Sequence, residues 1–355
     1  MSYLYLFISA CLVVALLTPL VKKLAVYLHI IDIPNSPRRI HKNPTPLLGG
    51  LAVYMAFALT LILYLWLGHV NFSIVPMKFF LAILFGGLFL VLGGAVDDAY
   101  ELTPKISAFF PAIASLIIVG SGIGVGIREI SNPFSSPIGL NFLLFGIPFS
   151  AIFMWFWMMG MIYTTKFLDG LDGLCSGITF IGSLTLFALS LTSKVNQDIT
   201  ASIAIIFCGS LFGYLFFAFN PASIFLGEGG STLCGFILGV LSIILGGKIA
   251  TALLVMGIPI LDVAWVILRR IWFKGSPFRA DRKHLHFRLL DLGFSQKQTV
   301  LILYIVSATF GFSAIFLQSF GKLVALLLLF CVMVGIALSA VLIYKKQHPH
   351  IKVDS

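Results

Sequence analysis

"MWFWMMGMIYTTKFLDGLDGLCSGITFIGSLTLFAL", Met154 to Leu189, is apolar at both ends and carries a lysine and two aspartates in its middle. Charged side chains beside hydrocarbon are costly and are kept where function or pairing requires them. The apolar windows on either side, near 142–163 and 174–192, approach the length of about 20 residues that crosses a bilayer. The same alternation of apolar window and short polar loop runs through the whole chain. Further windows lie near 2–21, 49–68, 77–96, 106–121, 199–218, 231–247, 249–268, 298–318 and 322–344. The pattern predicts an all-α, polytopic integral membrane bundle of about eleven transmembrane helices, a single domain over residues 1–355.

Composition agrees. Of 355 residues, 59% are hydrophobic and 10% charged, whereas soluble globular chains carry about a quarter charged residues. The first window begins almost at Met1, without a basic leading stretch or a small-residue cleavage site, and reads as a retained helix. Five cysteines sit in apolar stretches without C-x-x-C spacing, against both a disulfide framework and a zinc site.

Orientation follows from the basic residues, which favour the cytoplasmic side of a membrane protein. With the N-terminus outside and the C-terminus cytoplasmic, all but Lys78, Arg128, Lys194, Lys248 and Lys322 of the 23 Lys and Arg fall inside. The net charge of +10 is then a one-sided basic face, suited to anionic lipid headgroups or phosphorylated substrates; no nucleic-acid partner is expected. The external stretch 122–142, rich in Gly, Pro and Ser, reads as a turn or short hairpin without chemistry.

Five loops, near 22–48, 97–105, 163–174, 219–231 and 269–297, bring polar residues to the inner face. In "GGAVDDAYELTPK", Asp97 and Asp98 close a span, and acids at a helix C-terminus oppose its dipole. They call for a compensating cation or a basic loop. In "TTKFLDGLDG", Asp169 and Asp172 read either as turn residues or, on a helix, as neighbours one turn apart beside Lys166. In "NPASIFLGEGGS", Asn220 and Glu228 sit among glycines that permit close approach of a ligand. "RADRKHLHFRLLDLGFS" carries His284, His286 and Arg288; it suits phosphate recognition, or an interfacial helix on anionic lipid. Histidines two apart do not share a helix face, so H-x-H is a poor zinc pattern. "RRIHKNPTPLLGGLA" places His41 and Lys42 on a structured loop entering the second span. Acids for Mg²⁺, with Mn²⁺ as the alternative, and cations for phosphates point to phosphoryl-type transfer between a nucleotide-activated substrate and a membrane lipid.

In this order the stretches resemble the polyprenyl-phosphate N-acetylhexosamine-1-phosphate transferases, over about residues 22–295. "HKNPTPLLGG", "GGAVDDAYELTPK", "FLDGLDGL", "NPASIFLGEGGS" and "DRKHLHFRL" match the family's loops, and "GIPILDVAWVILRR" the span before the last of them. The family usually has Asn three and six residues before the first Asp of D-G-x-D-G, where this chain has Lys166 and Tyr163. The acid of the family's G-D-x-G-S loop is Glu228 here. H-L-H-F-R mixes features of two branches; Arg288, Asp281 and the span count favour the GlcNAc-1-phosphate branch.

The resemblance implies a bacterial inner-membrane, multi-pass enzyme with a cytoplasmic active site, with a homodimer as its candidate assembly. It would transfer a sugar 1-phosphate from a UDP-N-acetylhexosamine to polyprenyl phosphate, releasing UMP. A UDP-MurNAc-pentapeptide donor is the runner-up. By the same resemblance Asp97 or Asp98 orients or deprotonates the lipid phosphate, with Asp169 and Asp172 also catalytic. Glu228, with Asp172 or Asp169, ligates Mg²⁺. His284, His286 and Arg288 hold the nucleotide-sugar, Lys42 and Lys166 contact phosphate, and Asn220 binds substrate. A secondary transporter or lipid flippase is the rival from another class; Asp262, inside the ninth window, is the one acid that fits it.

Overall fold

The structure, a computed structural model, describes residues 2–34, 43–68, 70–73, 75–124, 129–130, 138–140, 142–144, 146–193, 195–245, 249–272 and 284–347. Fourteen helices appear in them: α1 (Tyr3–Tyr27), α2 (Gly49–Trp66), α3 (Met77–Tyr100), α4 (Pro104–Ser107), α5 (Phe109–Ser121), α6 (Phe149–Leu168), α7 (Leu174–Ser190), α8 (Asp198–Ala218), α9 (Gly227–Ile244), α10 (Ile249–Val255), α11 (Gly257–Trp272), α12 (Leu285–Asp291), α13 (Gln296–Phe316) and α14 (Ser319–Gln347). Among the described residues, strand pairing is limited to three two-residue antiparallel ladders. One of them, Glu129–Ile130 with Ile138–Gly139, lies in the stretch expected to form a turn or hairpin.

Helices such as α1, α2, α3, α8 and α13 are apolar around almost their whole circumference, which in water would be untenable and in lipid is required. α1 buries one stripe, Leu6, Ala10, Val14, Thr18, Val21 and Ala25. Its other face leaves Leu4, Ile8, Leu12, Leu16 and Leu20 exposed, each by 42% or more. Hydrocarbon covers such a face at no cost. The protein is an all-α, polytopic membrane bundle. Eight helices among the described residues are long and apolar enough to cross a membrane, or nine with α10 and α11 taken together. α7 and the Phe320–Ile336 part of α14 are apolar but shorter.

Without a hydrophobic force between helices in lipid, close packing holds the bundle together. α8 places Gly209 and Gly213 one turn apart against α1, where a Cβ on either would run into the α1 backbone around Phe7 and Cys11. α9 is buried along nearly its whole length and is flanked by α2, α3, α6, α7 and α10.

The window 249–268, expected as one span, is broken. α10 and α11 meet at Met256 with a bend of 80°. Pro259 has no N–H to give the Val255 carbonyl. Ser307 on α13 donates its hydroxyl to that carbonyl instead, at 2.7 Å. Composition stays apolar through the break, so hydropathy alone did not reveal it.

Candidate active site

The C-terminal ends of α3 and α6 and the N-terminal ends of α9 and α13 meet at one end of the bundle, around a cavity of about 320 Å³. Asp98, Lys166, Asp169, Asp172 and Glu228 line it, together with Asp32 and Phe287. A second hollow of about 390 Å³ shares Asp32, Asp98 and Glu228 and adds Asp97 and Glu101. The opposite end holds Tyr3, whose hydroxyl donates to Asp198 Oδ1 at 3.0 Å.

Asp97 and Asp98, side by side at the end of α3, have different surroundings. Asp98 accepts the backbone N–H of Glu228, at 3.2 Å to Oδ1 and 3.1 Å to Oδ2. It thus caps the N-terminus of α9, where unpaired amides favour an anion. The unfavourable dipole of α3 is offset by the favourable one of α9. Gly227, at φ +75°, makes the turn into α9, and Asp98 Oδ2 fills the space a Cβ there would occupy. Asp97 Oδ1 accepts Leu102 N–H at 3.0 Å, and Oδ2 accepts the Ser107 hydroxyl at 2.5 Å.

Lys166, in the last turn of α6, points into this group. Its ammonium is ion-paired with Glu228 Oε1, donates to Ser107 Oγ at 2.8 Å and lies 4.0 Å from Asp97 Oδ2. The pairing with Asp169 that a helical register would allow is not the one formed. α6 ends at Leu168, Asp169 is its C-cap, and α7 starts only at Leu174. D-G-L-D-G is therefore a turn, yet both its carboxylates face the same cavity. The residues at two departures from the resembled pattern, Lys166 and Glu228, prove to be each other's partners.

Asp169 is open to the cavity and enclosed by protein elsewhere. That burial, followed by the facing Glu228 and Asp172 carboxylates, pushes its carboxyl up to about 8. Asp172 Oδ2 accepts Asn220 Nδ2 at 2.8 Å and Ala222 N–H at 3.0 Å. The Asn220 amide also donates to Gln296 Oε1 at 2.7 Å. Asn220, expected to contact substrate, here joins Asp172 to the start of α13.

The histidines stand beside this wall. His284 is extended, as N-cap of α12, so the rule against helix neighbours two apart does not apply. The His284 and His286 rings stack at 5.7 Å with 6° between planes, and Phe167 stacks on His284 at 6.1 Å. Asp262 holds the start of α12, with Oδ2 2.8 Å from His284 Nδ1 and Oδ1 accepting Leu285 N–H at 2.8 Å. An ionised carboxylate only accepts, so this contact requires a proton on His284 Nδ1. Asp262, the residue that best fitted a transport site, is an anchor for the histidine loop.

Burial, reinforced by His284 and opposed by Asp262, pulls the His286 imidazole down to about 4. Its Nε2 is buried without a hydrogen-bond partner among the described residues. Gly170 packs against that atom, and a Cβ there would come within 2.5 Å of it. The aspartate turn and the histidine loop are thereby in direct contact. Arg288 lies half-buried on α12. Lys42, His41, Arg279, Arg282 and Lys283 lie outside the described residues.

Ser107 and Asp262 were missed as site residues. A serine in an apolar helix carries no signal by itself, but an acid inside a span does. Among the described residues no three Asp, Glu, His or Cys side chains converge as a ready-made metal site.

Residues 80–246 match the family described as glycosyl transferase family 4. The chain is 28% identical over 335 residues to the "Probable undecaprenyl-phosphate N-acetylglucosaminyl 1-phosphate transferase" of Bacillus subtilis (strain 168), covering 92% of this chain and 88% of that protein. It is 28% identical over 331 residues to the decaprenyl-phosphate N-acetylglucosaminephosphotransferase of Mycolicibacterium smegmatis, covering 86% and 80%. It is 26% identical over 311 residues to the undecaprenyl-phosphate alpha-N-acetylglucosaminyl 1-phosphate transferase of Escherichia coli (strain K12), covering 81% and 76%. The matched segment contains Asp97, Asp98, Glu101, Lys166, Asp169, Asp172 and Glu228, every acid of the two hollows except Asp32, and it is over this segment that the chain is similar to glycosyl transferase family 4.

Proposed function

We propose that the protein transfers GlcNAc 1-phosphate from UDP-GlcNAc to a polyprenyl phosphate, giving polyprenyl-diphosphate-GlcNAc and UMP, an initiating step of cell-envelope polysaccharide synthesis. One observation carries the reading most directly. Seven carboxylates and one ammonium converge at a single end of a membrane bundle, beside a stacked histidine pair, where a water-soluble polyanion and a lipid headgroup can meet. The names of the relatives support the substrates.

An oxygen of the lipid phosphate attacks the sugar-bearing phosphorus of the donor, and the bond from that phosphorus to the UMP oxygen breaks. A phosphate monoester has its second pKa near 6 and is largely dianionic at neutral pH. The nucleophile needs little deprotonation; the obstacle is bringing anions together. In this reading Asp98, on the cavity wall, orients the attacking phosphate. Lys166 and the histidine loop supply positive charge and hydrogen-bond donors for the donor's phosphates.

A divalent cation fits the acidic wall. Mg²⁺ is commonly held by one or two carboxylates together with water and substrate phosphates, so a three-donor protein cluster is not required. Asp169, raised first by burial and then by the Glu228 and Asp172 carboxylates that face it, lies where positive charge is wanted. Glu228 with Asp169 or Asp172 would hold the ion, which supplies charge neutralisation when bound. We read the bent pair and the two shorter apolar helices as crossings too, making eleven, with the N-terminus outside and the site on the cytoplasmic face of the inner membrane.

Purified protein, polyprenyl phosphate and a panel of UDP-sugars, assayed for UMP with Mg²⁺ and with EDTA, test this. UMP released from UDP-GlcNAc, dependent on lipid and metal, is expected. Release only from UDP-MurNAc-pentapeptide would reassign the donor, and no release from any donor would overturn the reading.

A further inference from the structure

Lys166 comes from α6, Ser107 from α4, Asp97 from α3 and Glu228 from α9, and their polar atoms form one chain. The ammonium is ion-paired with Glu228 and donates to Ser107, which donates in turn to Asp97. Lysine is the only cationic side chain on the described wall, which also carries Asp32, Asp98, Asp169 and Asp172. Like charges held close in a partly desolvated site repel one another and need a counter-ion to coexist.

We propose that Lys166 is a resident counter-cation which, through Ser107, positions Asp97 and Glu228 before any divalent ion or substrate arrives, and that it competes with the divalent ion for Glu228. Both halves follow from the contacts. An ammonium offers three donors and no acceptor; here one is used on Glu228 and another on Ser107. Ser107 both accepts and donates, so it passes the tie on to an aspartate 4.0 Å from the ammonium. The ammonium occupies Glu228 Oε1, so a metal ion using that oxygen must displace it. Ser107 is a positioning residue in this scheme. The side chains are only partly exposed, Lys166 by 20%, Asp97 by 12% and Glu228 by 24%, so water screens the arrangement incompletely.

The proposal rests on the transferase reading only where turnover is measured, so the main test uses none. Full-length protein in detergent is melted in chelator as wild type, Lys166→Met, Glu228→Gln and the double variant. Glu228→Gln is expected to lower the melting temperature in the wild-type background, where it loses a partner. In the Lys166→Met background it should raise it, by removing an uncompensated carboxylate. Equal shifts in the two backgrounds would overturn the coupling. Titration with Mg²⁺ alone, read as the rise in melting temperature, should half-saturate at roughly fivefold lower concentration in Lys166→Met, because the competitor is gone. Unchanged or weaker Mg²⁺ response would overturn the competition. In turnover, Ser107→Ala should lower kcat about tenfold with KM for UDP-GlcNAc little changed, and Ser107→Thr should restore it. A KM effect, or a Thr variant no better than Ala, would remove Ser107 from positioning. If the melting arms behave as expected while no protein releases UMP from any donor, the counter-cation stands and the transferase reading falls.

Discussion

The Asp98 carboxylate accepts the Glu228 N–H, and an asparagine in its place still offers that N–H a carbonyl oxygen. Asp98→Asn therefore keeps the cap on α9 and removes only the charge. Turnover should fall by about a hundredfold or more, the scale set by losing one preorganised electrostatic group, while the melting temperature hardly moves. Retained turnover would take Asp98 away from the reacting phosphate. His286 makes a different prediction. Its imidazole is held near 4 in the fold against about 6.5 in an unfolded chain. The folded state resists protonation, so the stability from keeping His286 neutral is complete above about 6.5 and is lost as pH falls toward 4. Melting curves from pH 7 to pH 4 should show the wild type losing ground to His286→Gln over this interval; parallel curves would place the ring in a wetter setting. The acids of the site were legible in the sequence because each is costly in so apolar a chain. Their partners were not. The Lys166–Glu228 pair joins distant loops, and local spacing suggested Asp169 as the nearer partner. The stacked histidines escaped a helical rule because His284 is extended.

At the scale of elements, the twenty-residue apolar windows located the helices well, since lipid imposes length and composition together. Breaks within an apolar window leave that composition untouched. The bend between α10 and α11 was signalled only by Gly257 and Pro259, and its stability depends on a donor from another helix. Ser307→Ala strips the Val255 carbonyl of that donor. The loss should cost about 1 kcal/mol, seen as a lower melting temperature. Ser313→Ala, whose hydroxyl serves a carbonyl of its own helix at 2.8 Å, is the control expected to change little. Equal effects would mean that the bend stands without Ser307. The α1–α8 contact makes a steric prediction. Gly213→Leu puts a side chain where the α1 backbone lies, and the overpacking should cost roughly 1–3 kcal/mol or more; a variant as stable as wild type would show that α1 can move aside.

Across the whole molecule, cysteines introduced at Ser295, beside the site, and Ser73, near the other end, report on opposite sides of the membrane. From outside intact cells a membrane-impermeant thiol reagent should label Ser73→Cys and spare Ser295→Cys; the reverse pattern would invert the orientation. That orientation was read from basic residues, several of which, Lys42 and Arg279 among them, lie outside the described residues. The meeting of helix ends at one pole also bears on how the protein is made. Asp98 leaves the ribosome with α3, but the amide it caps belongs to α9, and Asn220 finds Gln296 only once α13 has been synthesised. During translation the Asp98 carboxylate waits without that amide for a helix not yet inserted, whereas Asp97 gains Leu102 and Ser107 within ten residues. A nascent chain halted after α8 thus holds Asp98 without the amide it caps, and the acid-lined pole is complete only once α9 and α13 have followed.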